Sequence, residues 1–261
     1  MQPRDWHSLT SADFKGLDPL RTVVVLPVSA IEQHGPHLPL GTDALINAGV
    51  LQALAQRPLA ADLLLLPPQV IGHSLEHRDF PGTLTQSIEV LLQSWLSLAA
   101  SVAATGLRKV LLLNTHGGNN SLVHLAALRM RADLGLLAVR ANYFSFGSPP
   151  GLFAADELRD GIHGGEMETS LLMHLHPELV RREQLADFAG LPRQMAATHH
   201  WLGPEKPVGF GWLAQDLAPE GVCGNAAAAD AVRGERLLAH LADQLAVLVN
   251  ETAALPLSLL R

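Results

Sequence analysis

The hexapeptide Val23-Val-Val-Leu-Pro-Val28 is apolar at every position, rich in β-branched side chains and too short for an independent helix. A run of that kind reads as a strand buried on both faces, the mark of a parallel sheet. Three more runs share its character: Leu63–Val70, Val110–Asn114 and Leu136–Ala141, each bounded by Gly, Pro or polar residues. Between them lie segments with apolar residues in helical spacing: Asp43–Gln56, with Thr42 or Asp43 as N-cap, then Gln86–Thr105 and Ser121–Asp133. This alternation predicts an α/β fold with a largely parallel central sheet and helices on both faces. Two later helices are expected near Gly165–His174 and Ala226–Asn250. The stretch Leu191–Gly224, rich in Gly and Pro, reads as irregular structure over one end of the sheet.

Composition narrows the function. At 261 residues and 27.9 kDa the chain can bury a sizeable core, and residues 1–261 are read as one domain. With 48% hydrophobic and 16% charged residues, disorder is excluded for most of its length. The net charge is -7 and the only lysines are Lys15, Lys109 and Lys206, so neither nucleic acid nor an anionic membrane is expected as a partner. Residues 1–20 lack the apolar centre of a secretory signal. The apolar stretch Leu91–Leu107 carries Gln93, Ser94, Ser97 and Ser101 and falls short of the ~20 residues a bilayer span needs. A cytoplasmic protein is the expectation. Cys223 is the single cysteine against 13 histidines, which excludes an internal disulfide framework and any thiolate-rich zinc site.

Six histidines fall in four loop-like stretches: Glu32-Gln-His34-Gly-Pro-His37, Gly72-His73-Ser-Leu-Glu-His77, Asn114-Thr-His116-Gly-Gly-Asn119 and His163-Gly-Gly-Glu166. Two of these follow predicted strands directly, and in open α/β sheets ligands bind beyond the carboxyl ends of the strands. Loops far apart in sequence therefore converge there, with Asp43 at the start of the next helix facing the same edge. Glu32, His34, Asp43, His116 and Glu166 form a mixed nitrogen and oxygen set that suits zinc, manganese or iron(II). Five such groups exceed what one catalytic ion needs and fit two divalent ions with one bridging carboxylate. His37 and His77 are read as hydrogen-bonded orienters or as structural residues. His7, His124, His174, His176 and His240 are read as bystanders.

The residues admit two other readings. Gly72-His-Ser74-Leu-Glu76 comes one glycine short of a nucleophile elbow, which would make Ser74 a serine-hydrolase nucleophile. Against it, Glu76 obstructs the turn, Asp79-Phe-Pro81-Gly82 interrupts the helix that should follow, and the His116-Gly-Gly stretch comes after the serine instead of before it. The other alternative is a non-catalytic binding protein whose loops are stapled by metal. Cys223 is read as a small core residue.

The motifs resemble those of the creatininase family (creatinine amidohydrolases). The matching stretches are Pro27-Val-Ser-Ala-Ile-Glu32-Gln-His34-Gly-Pro-His37-Leu-Pro39-Leu-Gly41-Thr-Asp43 and Gly72-His-Ser74-Leu-Glu-His77-Arg-Asp-Phe80-Pro81-Gly82-Thr83. Asn114-Thr-His116-Gly-Gly-Asn119, His163-Gly-Gly-Glu166-Met-Glu168-Thr-Ser170 and Gly221-Val-Cys-Gly224 follow in the same order. The resemblance implies a three-layer α/β/α sandwich, a dinuclear metal centre, hydrolysis of a C–N bond other than an ordinary peptide bond in a small-molecule amide (often a cyclic amide, or a formamide), and a homo-oligomer, commonly a hexamer. It places Glu32, His34, Asp43 and His116 on metal ligands, with Asp43 as the bridge. Creatininase itself has the pattern N-G-H-Y-E-N, with a ligand glutamate and a tyrosine beside the substrate; here Gly118 and Gly117 stand in those places. Glu166 is then expected to supply the missing carboxylate, with Glu168 as the other choice. His163 is the candidate proton donor to the leaving nitrogen, with Glu168 second, and Ser74 and Gly117 are expected to face the substrate.

Overall fold

The computed structural model describes residues 2–260, so the ends of the 1–261 domain reading lie outside the described residues. Five parallel strands form one sheet in the order β1-β3-β2-β4-β5: β1 Arg4–Asp5, β2 Val23–Val28, β3 Leu63–Leu65, β4 Lys109–Asn114 and β5 Leu137–Asn142. Between and after them come α1 Thr42–Leu54, α2 Ile88–Ala104, α3 Asn120–Leu134, α4 Ala155–Asp160, α5 Glu166–Leu175, α6 Leu191–Ala196, α7 Ala214–Leu217 and α8 Ala231–Ala254. The short strands β6 Asp187–Phe188 and β7 Gly224–Asn225 pair antiparallel beside the site.

Period-two alternation along β2 builds two cores. Val23 and Val25 pack with Ile46, Val50 and Leu54 of α1, Leu171 and Leu172 of α5, and Leu241 and Leu245 of α8. Val24, Leu26 and Val28 face the other way, against Trp95 and Val102 of α2 and Val123 and Met130 of α3. Helices thus cover both faces, which is the three-layer arrangement.

The boundaries differ from expectation where local chemistry intervenes. β3 stops at Leu65 instead of Val70, because Pro67 and Pro68 offer no N–H to the ladder. Only an isolated bridge between Val28 and Gln69 continues that edge. The last helix begins at Ala231, not Ala226, where the Asp230 carboxylate accepts the N–H groups of Val232 and Arg233 and caps it. Its far end is met by Lys109, whose buried ammonium donates to the carbonyls of Thr252, Ala253 and Leu255 at 2.9, 2.7 and 2.8 Å. Among the described residues, no helix is long and apolar enough to cross a membrane.

Candidate metal centre

The loops leaving the carboxyl ends of β2, β3 and β4 meet and are tied by asparagines. Asn119 accepts the His73 N–H at 3.0 Å and donates to the Ser29 carbonyl at 3.2 Å, joining the first two loops to the third. Asn114 holds the third, donating to the His116 carbonyl and accepting the His116 N–H. Gly72 passes so close to Ser29 and Asn119 that a Cβ there would lie 2.5 Å from the Ser29 carbonyl oxygen. The fourth segment, 163–168, is delivered from the other half of the chain. The His163 carbonyl accepts the Cys223 N–H at 2.9 Å, and His37 Nε2–H donates to the Gly164 carbonyl at 3.0 Å. Gly164 adopts φ +64°, which a side chain rarely tolerates, and so turns the chain into α5.

These ties bring Glu32, His34, Asp43, His77, His116, His163 and Glu168 together. Ligand atoms lie within 4.8 Å of one another in four overlapping triplets: Glu32/His34/Asp43, Glu32/His77/His163, His34/His163/Glu168 and Glu32/Glu76/His116. Asp43 stands between two imidazoles, with Oδ1 3.3 Å from His34 Nε2 and Oδ2 3.3 Å from His116 Nδ1. Glu32 Oε1 is 3.2 Å from His116 Nδ1.

Backbone partners fix which ring nitrogen is free. His34 Nδ1–H donates to the Glu32 carbonyl at 3.1 Å, which leaves its Nε2 lone pair toward Asp43. His116 Nε2–H donates to the His73 carbonyl at 2.8 Å, which leaves Nδ1 toward Glu32 and Asp43. Glu32 Oε2, His34 Nε2 and Asp43 Oδ2 are all buried without a hydrogen-bond partner. Buried acceptors are ordinarily satisfied, so three orphans converging on one volume mark a place for a cation. The donor set therefore fits a divalent metal ion.

The electrostatics agree. Burial opposes charge on His34, but the Asp43 carboxylate outweighs it and raises the imidazole to about 9. His116, also penalised by burial, is raised well above its ordinary value by Glu32 and Asp43. Burial disfavours ionisation of Glu32, yet the imidazoles of His116, His77 and His163 hold its carboxyl well below the usual range. The negative field that retains protons on these rings is the field a divalent ion would neutralise.

Glu166 does not join them. Its carboxylate pairs with Arg233 of α8, while Glu168 reaches the cluster, accepting the Gly164 N–H at 2.7 Å and the Tyr143 hydroxyl at 3.2 Å. Residues two apart on a helix point to opposite sides, so only one of the pair can face the site. Ser74 is fully buried, with its hydroxyl 3.3 Å from His116 Nε2. That nitrogen carries the proton given to His73, so Ser74 faces a donor and has no base to activate it. Burial raises the Cys223 thiol to about 12, which keeps it inert. Gly117 is exposed, and a Cβ built on it meets nothing within 4 Å. A Cβ on Gly118 would instead collide with Glu76 and lie 2.5 Å from both His116 Nε2 and the His73 carbonyl oxygen. His37 stacks on Phe188 at 5.3 Å, outside the ligand triplets.

A family model for creatininase, described as creatinine amidohydrolase, matches residues 7–249. The chain belongs to the creatininase family. Members of this family hydrolyse carbon–nitrogen bonds, and the mostly parallel sheet with its helices in this creatininase-family chain matches creatininase structures. Its relatives include the mycofactocin precursor peptide peptidase of Mycobacterium ulcerans (strain Agy99), 33% identical over 226 residues, covering 84% of this chain and 81% of the relative. The creatinine amidohydrolase of Pseudomonas putida is 29% identical over 181 residues, 63% of this chain and 68% of that one. A crystal structure of creatinine amidohydrolase (creatininase) shares the fold, with a TM-score of 0.75 at 24% identity over 97% of this chain and 98% of the other.

Proposed function

We propose that the chain, acting as one domain, is a dinuclear metal amidohydrolase that cleaves the C–N bond of a small-molecule amide. Glu32, His34, Asp43, His116 and Glu168 would hold two divalent ions. The observation that carries this reading is the convergence of three unpartnered buried atoms, Glu32 Oε2, His34 Nε2 and Asp43 Oδ2. The donors suit zinc, manganese or iron(II).

When bound, such ions supply an acidified water and a Lewis acid for the amide carbonyl. His163 moves the proton. Its Nε2–H donates to the Gln33 carbonyl at 2.8 Å, so Nδ1 is the free acceptor, 3.8 Å from Glu32 Oε1. Burial lowers its pKa, with the neighbouring His34 acting in the same direction, and so keeps it neutral and able to accept. His163 would therefore take the attacking water's proton at Nδ1 and deliver it to the leaving nitrogen. Tyr143 and the Gly164 N–H hold Glu168 in place. Gly117 leaves the place of creatininase's substrate-side tyrosine without a side chain, which favours an extended, peptide-like small amide over a compact ring such as creatinine. The relationship to precursor-peptide peptidases supports the same preference. The reading includes a homo-oligomer, hexameric by family resemblance, which light scattering would test.

Elemental analysis of the purified protein, with Asp43→Ala beside it, tests the central claim. The expected result is transition metal in the parent and its loss from the variant. Chelation should abolish amide hydrolysis, and zinc or manganese should restore it. Absence of transition metal from the parent, or unchanged content in Asp43→Ala, overturns the reading. Melting-temperature loss on chelation with no turnover across an amide and short-peptide panel would favour the stapled binding protein.

A further inference from the structure

Gln33 lies where three separated segments meet, and the mechanism above uses only its backbone carbonyl. The side chain is buried. Its Oε1 accepts the Gly35 N–H at 2.9 Å, and its Nε2 lies 2.6 Å from the Gly221 carbonyl oxygen, which only a donor can face. These two contacts fix the amide's orientation. An amide nitrogen carries two protons. One goes to Gly221 and the other to His77 Nδ1, 2.8 Å away. The approach of the same nitrogen to His163 Nε2 at 3.3 Å is then only a contact, because that ring nitrogen already donates to the Gln33 carbonyl.

A single residue thereby fixes the Nε2–H tautomer on two adjacent rings, whose centroids are 4.4 Å apart, and the two rings turn opposite nitrogens to Glu32. His77 accepts at Nδ1, so its proton sits on Nε2, directed at Glu32 Oε1 3.4 Å away. His163 carries its proton on Nε2 and turns a lone pair toward the same oxygen. Both rings belong to one ligand triplet with Glu32, so position alone does not separate them. The hydrogen-bond pattern does.

We propose that Gln33 is a positioning residue that holds His77 as an N–H donor to Glu32 and out of metal coordination, leaving the lone pair of His163 as the acceptor. The inference rests on the proposed metal site, and its test separates the two. Long-range proton–nitrogen correlation spectra of the full chain, labelled with 15N-histidine and loaded with zinc, report each ring nitrogen as protonated, bare or metal-bound. The expected parent spectrum shows His77 protonated at Nε2 and bare at Nδ1, with zinc-shifted nitrogens on His34 and His116. In Gln33→Glu the protonated carboxyl donates to the Gly221 carbonyl and the same oxygen accepts from His77 Nδ1, so the His77 proton should move to that nitrogen. In Gln33→Leu, which removes the donor, the fixed tautomer should be lost. A zinc-shifted His77 Nε2 in the parent overturns the proposal, and so does an unchanged His77 tautomer in whichever variants fold. If no histidine is zinc-shifted, the metal reading fails, while the Gln33–His77 pairing is still read from the same spectrum.

Discussion

Gly234 in the first turn of α8 gives a sharp test of how α5 is seated. Replacing a helical glycine by alanine ordinarily stabilises by about 1 kcal/mol, since the glycine backbone loses more entropy on folding. Here the added methyl has no room. A Cβ on Gly234 would lie 2.5 Å from the Ser170 carbonyl carbon, closer still to its oxygen, and 3.1 Å from His174 Cβ. Ordinary contact begins near 3.4 Å, so α5 must retreat by about 0.9 Å or more. Backbone cannot rotate away as a side chain can. Overpacking of this kind costs about 1–3 kcal/mol before any distortion of neighbours. With backbone as the obstacle the cost lies at the upper end of that range, about 2–3 kcal/mol, and subtracting the ~1 kcal/mol glycine gain leaves a net loss of about 1–2 kcal/mol, or roughly 2–8 °C in melting temperature at about 2–4 °C per kcal/mol for a domain near this size. Glu168 lies two residues before Ser170 on the same helix, so the shift should also weaken metal retention under chelator. Gly49→Ala is the control, because the nearest atoms to its Cβ belong to the Leu175 side chain, from 2.6 Å, and can rotate away. Calorimetry of the two variants decides. A Gly234→Ala protein as stable as its parent, or more so, would refute the close approach of α5 to α8.

Three further outcomes are expected. Lys109→Met strips the donor from three carbonyls at the end of α8 and should cost about 3 kcal/mol, since buried acceptors lose a charged partner; an unchanged denaturation midpoint would count against it. Glu168→Gln should lower metal content with little effect on stability, whereas Glu166→Gln should do the reverse by taking from Arg233 the more buried of its two carboxylate partners, leaving only Asp230; paired elemental analysis and urea titration distinguish them. His37, lowered by burial from 6.5 to about 4, contributes stability that is fully present above pH 6.5 and is lost as pH falls toward 4. The parent should therefore lose more stability between pH 7 and pH 5 than His37→Gln, and equal slopes of urea midpoint against pH would show that His37 is not the group responsible.

Much of the fold is legible because the parallel strands are apolar throughout. Val23–Val28 and Lys109–Asn114 need burial on both faces, and only a sheet between helices supplies it. The metal-facing residues near the strand ends are legible for a related reason: chain direction alone brings Glu32, His34, Asp43 and His116 to one edge. The choice between Glu166 and Glu168 is not legible. It depends on which side of α5 faces α8, and that is set by the Arg233 pairing and the fit at Gly234. Gln33 was missed although it lies inside the first motif, because its role depends on Gly221, 188 residues away. Glu76 appeared only as an obstruction to a nucleophile elbow. The structure sets it over Gly118, within the Glu32/His116 triplet.

The cluster is drawn from two ends of the chain: Glu32 to His116 arrive with the sheet, while His163 and Glu168 arrive afterwards, held by the Gly221–Gly224 turn. An ion shared by His34 and Glu168 would close a loop of more than a hundred residues, acting as a reversible crosslink between the first half of the chain and the last. Such a clasp removes freedom chiefly from the open chain, and its strength follows the free ion concentration by mass action. The seating of the C-terminal segment on the sheet would then respond to metal supply, and limited proteolysis between residues 143 and 162 would report it.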